Sequence, residues 1–435
     1  MPGLAPGIFV SYVHDILIGS GCMSLPSHIG VAIIGAGAAG LGAAQALQGS
    51  GLSALVLEAR DRIGGRAQTV SLPNDVIFDV GCGWLHSADK NLFVPIAETL
   101  GFAINRNRPP WQQQTFDAGF PLADREAFLA ELNDFFERVD DDAKDNPDRP
   151  ASDLLTPGNR WNAQIDAVST YINGCELDQA SIHDLAAYED TEINWRVEKG
   201  YGALIAAYGA SCNIALGTQV TLIDHSGPRL TLHTSRGTLT ADQVIVSVST
   251  NLLAQEKIRF TPALPDKVNA AAGLPLGLAD KVMLALGVPG DLPADGNLRG
   301  RSGMAKTGAY HLRPQGMACI EGYFGGTYAR ELEDAGDGAL AQAAIDEIAG
   351  LLGNDYRKKL TPLASSRWAH DDFARGSYSH ALPGHADDRA ILAAPVDGRL
   401  FFAGEATSPN FFSTAHGALE SGFRAAKEIL AHRAR

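Results

Sequence analysis

The glycine-rich turn Gly35-Ala36-Gly37-Ala38-Ala39-Gly40 constrains the fold more than any other stretch of this chain. A β-branched run, Val31 to Ile34, leads into it, and an alanine-rich helical stretch leaves it and ends at about Gln48. A second apolar run, Ala54 to Leu57, ends in Glu58. A strand, a glycine turn, a helix, a second strand and an acid about twenty residues on form a βαβ unit that binds a dinucleotide. Gly35 makes the tight turn, Gly37 lets backbone N–H groups reach a pyrophosphate, and Gly40 lets the helix pack against the strand. The helix N-terminus around Ala39 stabilises the anion. Glu58 accepts hydrogen bonds from a ribose, and its charge repels the extra phosphate of NADP. A lone GxGxxG is weak evidence; this flanking makes it strong, although it does not choose between FAD and NAD.

The choice is made just downstream, in Glu58-Ala59-Arg60-Asp61-Arg62-Ile63-Gly64-Gly65-Arg66. Gly64 and Gly65 allow close backbone approach to a second ligand segment, and Arg62 and Arg66 can neutralise its diphosphate. An extended FAD suits this arrangement.

Composition narrows the function. A formal net charge of −15 argues against a nucleic-acid partner, which needs a broad surplus of Lys and Arg. The same charge suits cationic substrates, with ordinary solubility as the plainer reading. The five cysteines (Cys22, Cys82, Cys175, Cys212 and Cys319) are scattered, without a CxxC pair or metal-ligand spacing. A reducing cytoplasm and structural thiols follow, and no metal is expected. The apolar run Gly7 to Gly21 is broken by His14 and Asp15 and is preceded by no Lys or Arg. It reads as neither a signal peptide nor a membrane span, with Met23 as an alternative start. At 435 residues two domains are expected.

The motif Glu58 to Arg66 resembles that of the flavin-containing amine oxidases, the family of monoamine oxidases, polyamine oxidases and lysine-specific histone demethylases. The resemblance continues at Asp79-Val80-Gly81-Cys82-Gly83-Trp84-Leu85-His86, Gly200-Tyr201-Gly202-Ala203-Leu204, Lys281, Trp368 to Tyr378, and Phe402-Ala403-Gly404-Glu405 through Gly422. It implies an α/β fold in which a Rossmann-like FAD domain (1–91, 200–275 and 382–435) is interleaved with a substrate domain of mixed sheet plus helices (92–199 and 276–381). Leu92 to Lys199 reads as helices with a break at Asp140 to Pro150. Thr218 to Ile223, Leu230 to Thr234 and Gln243 to Val248 read as strands.

The resemblance also assigns residues. Gly35, Gly37, Ala39, Gly40, Glu58, Ala59, Arg60, Arg66, Gly83, Trp84, Val220, Trp368, Gly404, Glu405, Thr414 and Ala415 surround the cofactor, with Val220 near the adenine and Glu405 on the ribityl hydroxyls. Lys281, in an apolar strand, matches the lysine that holds a water against the flavin's reactive nitrogen; a lysine reaching the surface is the plainer reading. Trp368 and Tyr378 flank the amine site, and an aromatic face suits a cation. Ser377 stands where monoamine oxidases carry the cysteine bonded to FAD, so the cofactor is non-covalent. Thr414 replaces their second sandwich aromatic, which implies a larger pocket. His86 matches a histidine near the substrate nitrogen in polyamine-oxidising relatives, and a purely structural wall histidine fits equally.

The implied reaction takes a hydride from the carbon next to an amine nitrogen, giving an imine and then an aldehyde plus amine, with dioxygen as acceptor and hydrogen peroxide as product. Glu176, Asp178, Asp184, Glu189, Asp190 and Glu192 form an acidic stretch that favours a polyamine if some of it faces the substrate; a solvated surface is the plainer reading. Oxidation of an L-amino acid or a desaturation is the alternative, with Arg106 and Arg108 as candidate carboxylate clamps. A non-catalytic FAD-binding protein is the alternative of another class. Self-association as a homodimer is left open.

Overall fold

The computed structural model describes residues 24–112 and 120–433. The expectations for the N-terminal apolar run, Cys22 and the start at Met23 lie outside the described residues.

The first sheet grows around the central strand His28–Ile34, which pairs in parallel with Ala54–Leu57 on one side and Gly237–Val246 on the other. Val31, Ala32 and Ile33 are fully buried, as a parallel strand covered on both faces requires. A meander of Val220–Asp224, Leu230–Thr234 and Gly237–Val246 extends one side, and Leu400–Phe402 adds in parallel beside Val244 to Val246. Leu230–Thr234 has the expected bounds, the strand expected at Thr218 to Ile223 is shifted to Val220–Asp224, and the one expected at Gln243 to Val248 starts earlier, at Gly237.

The helix Ala38–Leu47 packs against the C-terminal helix Ala415–Arg433. Small residues make this possible: a Cβ on Gly422 would lie 2.0 Å from the Ala39 carbonyl oxygen, and one on Gly42 would lie 2.8 Å from the Leu419 carbonyl oxygen. Two segments nearly four hundred residues apart are thereby held together, and both helices begin at the same cavity.

The second sheet is antiparallel, in the order Gly296–Arg299, Ala309–Leu312, Cys319–Gly325, Ala279–Leu286, Leu360–Ser365. Alternation gives it two characters. Val282, Leu284, Ile320, Leu312 and Leu298 join a core with Leu340, Ala344 and Ile348 of the helix Ala339–Leu352. Lys281, Tyr323, Ala309 and Arg299 line the cavity.

The break expected at Asp140 falls later. The helix Leu122–Asp145 continues through the acidic run, where Lys144 pairs with Asp141 one turn back. It ends at Asn146, which precedes Pro147 and is therefore disfavoured in the helical region.

Candidate active site

Just beyond four parallel strands the chain passes Gly35, Glu58, Ser247 and Gly404, and all four residues line a cavity of about 770 Å³. The carboxyl ends of parallel strands are where open α/β sheets bind ligands. The helix Ala38–Leu47 has Gly37 at its N-cap and no side-chain cap, so its first N–H groups are left for a ligand. A Cβ on Gly37 would meet no protein atom within 4 Å, whereas one on Gly40 would lie 1.9 Å from the Gly35 carbonyl oxygen. Gly40 thus packs behind the turn and does not line the cavity, and neither does Arg62, which was expected beside the diphosphate.

Glu58 is buried, and its two oxygens accept from the backbone N–H of Ala36 (2.7 Å) and Arg60 (2.8 Å). These bonds fix the carboxylate in the wall beside Ala59 and Val220. Arg60 pairs with Asp371 and lies over the Phe373 ring at 5.3 Å. Arg66 donates to Glu405 Oε1 and to the Ser377 carbonyl, both at 2.8 Å. The other oxygen of Glu405 accepts from Ser379 Oγ (2.6 Å) and the Ser413 N–H (2.9 Å). Burial pushes the Glu405 carboxyl up, but Arg66 and these bonds outweigh it and hold it below the usual range. The charge of Arg66, expected to serve a diphosphate, is thus shared with Glu405.

Thr414 serves the helix that follows it. Its hydroxyl accepts from the Gly417 N–H (3.0 Å) and donates to the Phe411 carbonyl (2.6 Å), which makes it the N-cap of Ala415–Arg433. The residue lines the cavity with its hydroxyl already engaged.

Lys281 is 9% exposed, so the surface-reaching alternative does not apply. Its Nζ donates to the Asp79 carbonyl (3.0 Å), stands 3.4 Å from Glu321 Oε1, and lies over the Tyr323 ring at 5.3 Å. Room for it comes from Gly83, where a Cβ would sit 3.2 Å from Nζ. Trp368 Nε1 donates to the Val80 carbonyl (3.2 Å), and Tyr378 donates its hydroxyl to the Tyr171 carbonyl. Ser377 Oγ accepts from the Ala279 N–H (2.8 Å) and donates to its carbonyl (2.9 Å), tying this loop to the Lys281 strand. His86 Nδ1 donates to Asn194 Oδ1 (2.6 Å), and burial pushes its pKa down. The ring is therefore neutral, with Nε2 as its acceptor. Trp84 packs edge-on against Trp111 with centroids 4.6 Å apart.

Sequence reasoning missed Glu321 and Arg196. Arg196 Nη1 meets Glu321 Oε2 at 2.7 Å and lies over Trp84 at 5.0 Å. Burial pushes Glu321 up, but Arg196, Lys281 and His311 reverse this and hold it down at about 2. A carboxylate inside the apolar run Cys319-Ile320-Glu321-Gly322-Tyr323 was the available signal, because a buried charge needs partners.

The acidic stretch does not face the cavity. Glu176 caps Thr327, Asp184 pairs with Arg389, and Glu189 pairs with Lys90. Arg106 pairs with Glu98 on the surface, and neither it nor Arg108 lines the cavity. Cys82 does line it, but burial pushes its thiol up to about 12, so it is protonated and unreactive.

Two buried histidines give the fold an acid limit. Burial pushes His380 down to about 4 and His416 down to about 3 from an ordinary 6.5. Their depressed folded values mean that the stability is fully present above pH 6.5 and is lost as pH falls through the folded values. By pH 5 the two together withdraw on the order of 4 kcal/mol. Calorimetry should find a lower Tm at pH 5 than at pH 7.5, and His416→Gln should narrow the gap.

A dinucleotide cradle running into a chamber with a buried lysine and aromatic walls defines a flavoprotein oxidoreductase. The chain matches the flavin containing amine oxidoreductases over residues 154–430 and a Rossmann-like NAD(P)-binding domain over residues 33–98. It belongs to the flavin containing amine oxidoreductase family and is an FAD-dependent oxidoreductase acting on amines. Polyamine oxidase 4 of Oryza sativa subsp. japonica is 29% identical over 94% of this chain and 89% of its own length. Lysine-specific histone demethylase 1 homolog 1 of Arabidopsis thaliana is 27% identical over 92% of this chain and 52% of its own length. The structure of cyclohexylamine oxidase from Brevibacterium oxydans IH-35A superposes with a TM-score of 0.75 over 94% of this chain and 100% of that one, at 21% identity.

Proposed function

We propose that the chain oxidises an alkyl amine at the Lys281 end of the cavity, with FAD held non-covalently along its length. The observation that carries this reading is that one cavity runs from the uncapped helix and Glu58 to Lys281, Trp368 and Tyr378. The substrate class is the one to which the named substrates of the relatives belong, polyamines and cyclohexylamine. FAD bound here would supply hydride acceptance from the carbon next to the nitrogen.

The protein's own part is positioning and electrostatics. Gly37 and the helix N-terminus would receive the pyrophosphate, and Glu58 the ribose. Lys281, fixed by the Asp79 carbonyl and Glu321, presents its remaining N–H groups to the chamber. Tyr378 is held by the Tyr171 carbonyl as a rigid wall, and neutral His86 can accept a hydrogen bond from an amine N–H. No protein base is required if the amine binds neutral, so the rate rises with pH as the substrate loses its proton.

The remaining proposals are dioxygen as acceptor, a cytoplasmic location, a homodimer, and the interleaved division into 1–91, 200–275 and 382–435 against 92–199 and 276–381. No helix among the described residues is long and apolar enough to cross a membrane. Anaerobic mixing of the yellow protein with monoamines, diamines, polyamines and amino acids is expected to bleach the flavin with an alkyl amine. Acid precipitation should leave the colour in the supernatant. A panel in which no amine bleaches the flavin would sink the reading, and colour retained in the pellet would sink non-covalent binding.

A further inference from the structure

Four residues stand in one row across the second sheet. Register pairs Lys281 with Tyr323, Tyr323 with Ala309, and Ala309 with Arg299, and all four line the cavity. Paired residues of an antiparallel sheet present their side chains on the same face, so Arg299 shares the face of Lys281 at a distance of three strands. At a strand spacing of about 4.8 Å, their backbones are about 14 Å apart. The cavity therefore has a reactive end at Lys281 and a distal end at Arg299.

The positive charge at the distal end has no counter-ion among the described residues. Among the described residues, Arg299 makes no ion pair; its guanidinium lies over the rings of Phe120 (5.5 Å) and Phe128 (5.1 Å). Its Nε is buried without a hydrogen-bond partner. Burial and the nearby Arg125 push its pKa down to about 10, as happens when a cation is desolvated and meets another cation rather than an anion. Other buried arginines of this chain are compensated: Arg196 has Glu321 and Arg389 has Asp184. The acidic residues among the described lining, Glu58, Asp280, Asp372 and Glu405, belong to the cofactor and reactive ends. The rings of Phe120 and Phe128 give Arg299 apolar neighbours, Tyr171 also lies within electrostatic reach of it, and the same cavity lining includes Leu129, Leu132 and Val168 with the amides of Gln164 and Asn297.

We infer that Arg299 is a specificity-determining residue that receives a carboxylate at the far end of the substrate. The preferred substrates are then aliphatic amines carrying a carboxylate remote from the oxidised carbon. The inference rests on the amine-oxidising reading and narrows it, because an unsubstituted diamine or polyamine would bring a second ammonium against the guanidinium. Arginine suits the task through its two-pronged match to a carboxylate, and an apolar channel suits the methylene chain between the two ends.

The test uses three amines of equal chain length, aminooctanoate, octylamine and diaminooctane, with the wild-type holoenzyme, Arg299→Gln and Arg299→Lys. Aminooctanoate is expected to have the highest kcat/KM. Arg299→Gln should lower that value about 10- to 100-fold, the worth of a hydrogen-bonded charge pair, with the change mainly in KM. Octylamine should be nearly unaffected, diaminooctane should improve, and Arg299→Lys should recover part of the loss. Octanoate has no amine, and its binding by calorimetry reads Arg299 without turnover; it should weaken by a similar factor in Arg299→Gln. Equal octanoate binding by wild type and Arg299→Gln, or an equal effect on all three amines, overturns the inference while leaving amine oxidation intact. A preserved octanoate difference with no flavin reduction by any of the amines supports the role of Arg299 and overturns the amine-oxidising reading.

Discussion

Gly40→Ala is expected to give a colourless, destabilised protein, whereas Gly37→Ala is expected to fold normally and still lose most of its cofactor. The two glycines lie three residues apart in one turn, yet they face opposite constraints. A Cβ on Gly40 would sit 1.9 Å from the Gly35 carbonyl oxygen and 2.9 Å from Ser247 Oγ, so the helix must move away from the strand. Overpacking of this kind costs about 1 to 3 kcal/mol when side chains can yield, and a backbone carbonyl yields less. Gly37 has an ordinary φ of −79°, and its added methyl meets no protein atom within 4 Å. Its side is open to the cavity, where the cofactor's pyrophosphate is proposed to approach. Losing those charged hydrogen bonds should weaken FAD binding about 10- to 100-fold. Thermal melts of the cofactor-free proteins, with FAD titrations monitored by fluorescence, separate the two cases. Equal Tm losses in both variants would contradict the assignment of Gly37 to the cofactor and Gly40 to the fold.

That turn was legible in the sequence because every part of it is local. Strand, glycines, helix and Glu58 fall within about thirty residues, and their spacing alone encodes their geometry. The residues around Lys281 were legible only in part. Lys281 drew notice as a charge in an apolar strand, but its partner Glu321 becomes its neighbour only through strand pairing, and Arg196 reaches Glu321 across 125 positions of sequence. Arg299 carries no local signal at all. It sits in Leu298-Arg299-Gly300-Arg301, which reads as an ordinary polar strand end, and only the register across four strands sets it in one row with the lysine. The carboxylate clamp sought at Arg106 and Arg108 was a question of chemistry that local sequence could not locate. The acidic stretch does not face the cavity, in line with the plainer reading of it: Glu189 meets Lys90, Asp184 meets Arg389, and Glu176 meets a backbone amide. Net charge describes the surface, and here it said little about the cavity wall.

Lys281→Met is expected to retain FAD and lower the rate of one flavin half-reaction by about 100-fold or more, the scale on which a single preorganised charged donor acts. The lysine is held by the Asp79 carbonyl at 3.0 Å and by Glu321 at 3.4 Å, so its ammonium is fixed in place before any ligand arrives. Methionine fills a similar volume and supplies no donor. The fold should tolerate it, because Glu321 keeps its bond to Arg196 at 2.7 Å and is not left as a lone buried charge, a state that would cost about 3 to 5 kcal/mol. Glu321→Gln reverses the pattern. It keeps the ammonium but leaves Arg196 without its buried counter-ion, so stability should fall more than in Lys281→Met while the half-reactions slow less. Stopped-flow reduction by an amine and reoxidation by dioxygen, measured separately, identify which step the lysine serves. If Lys281→Met left both half-reactions within about threefold of wild type, the buried ammonium would be structural, and the aromatic walls with neutral His86 would have to account for the chemistry by positioning alone.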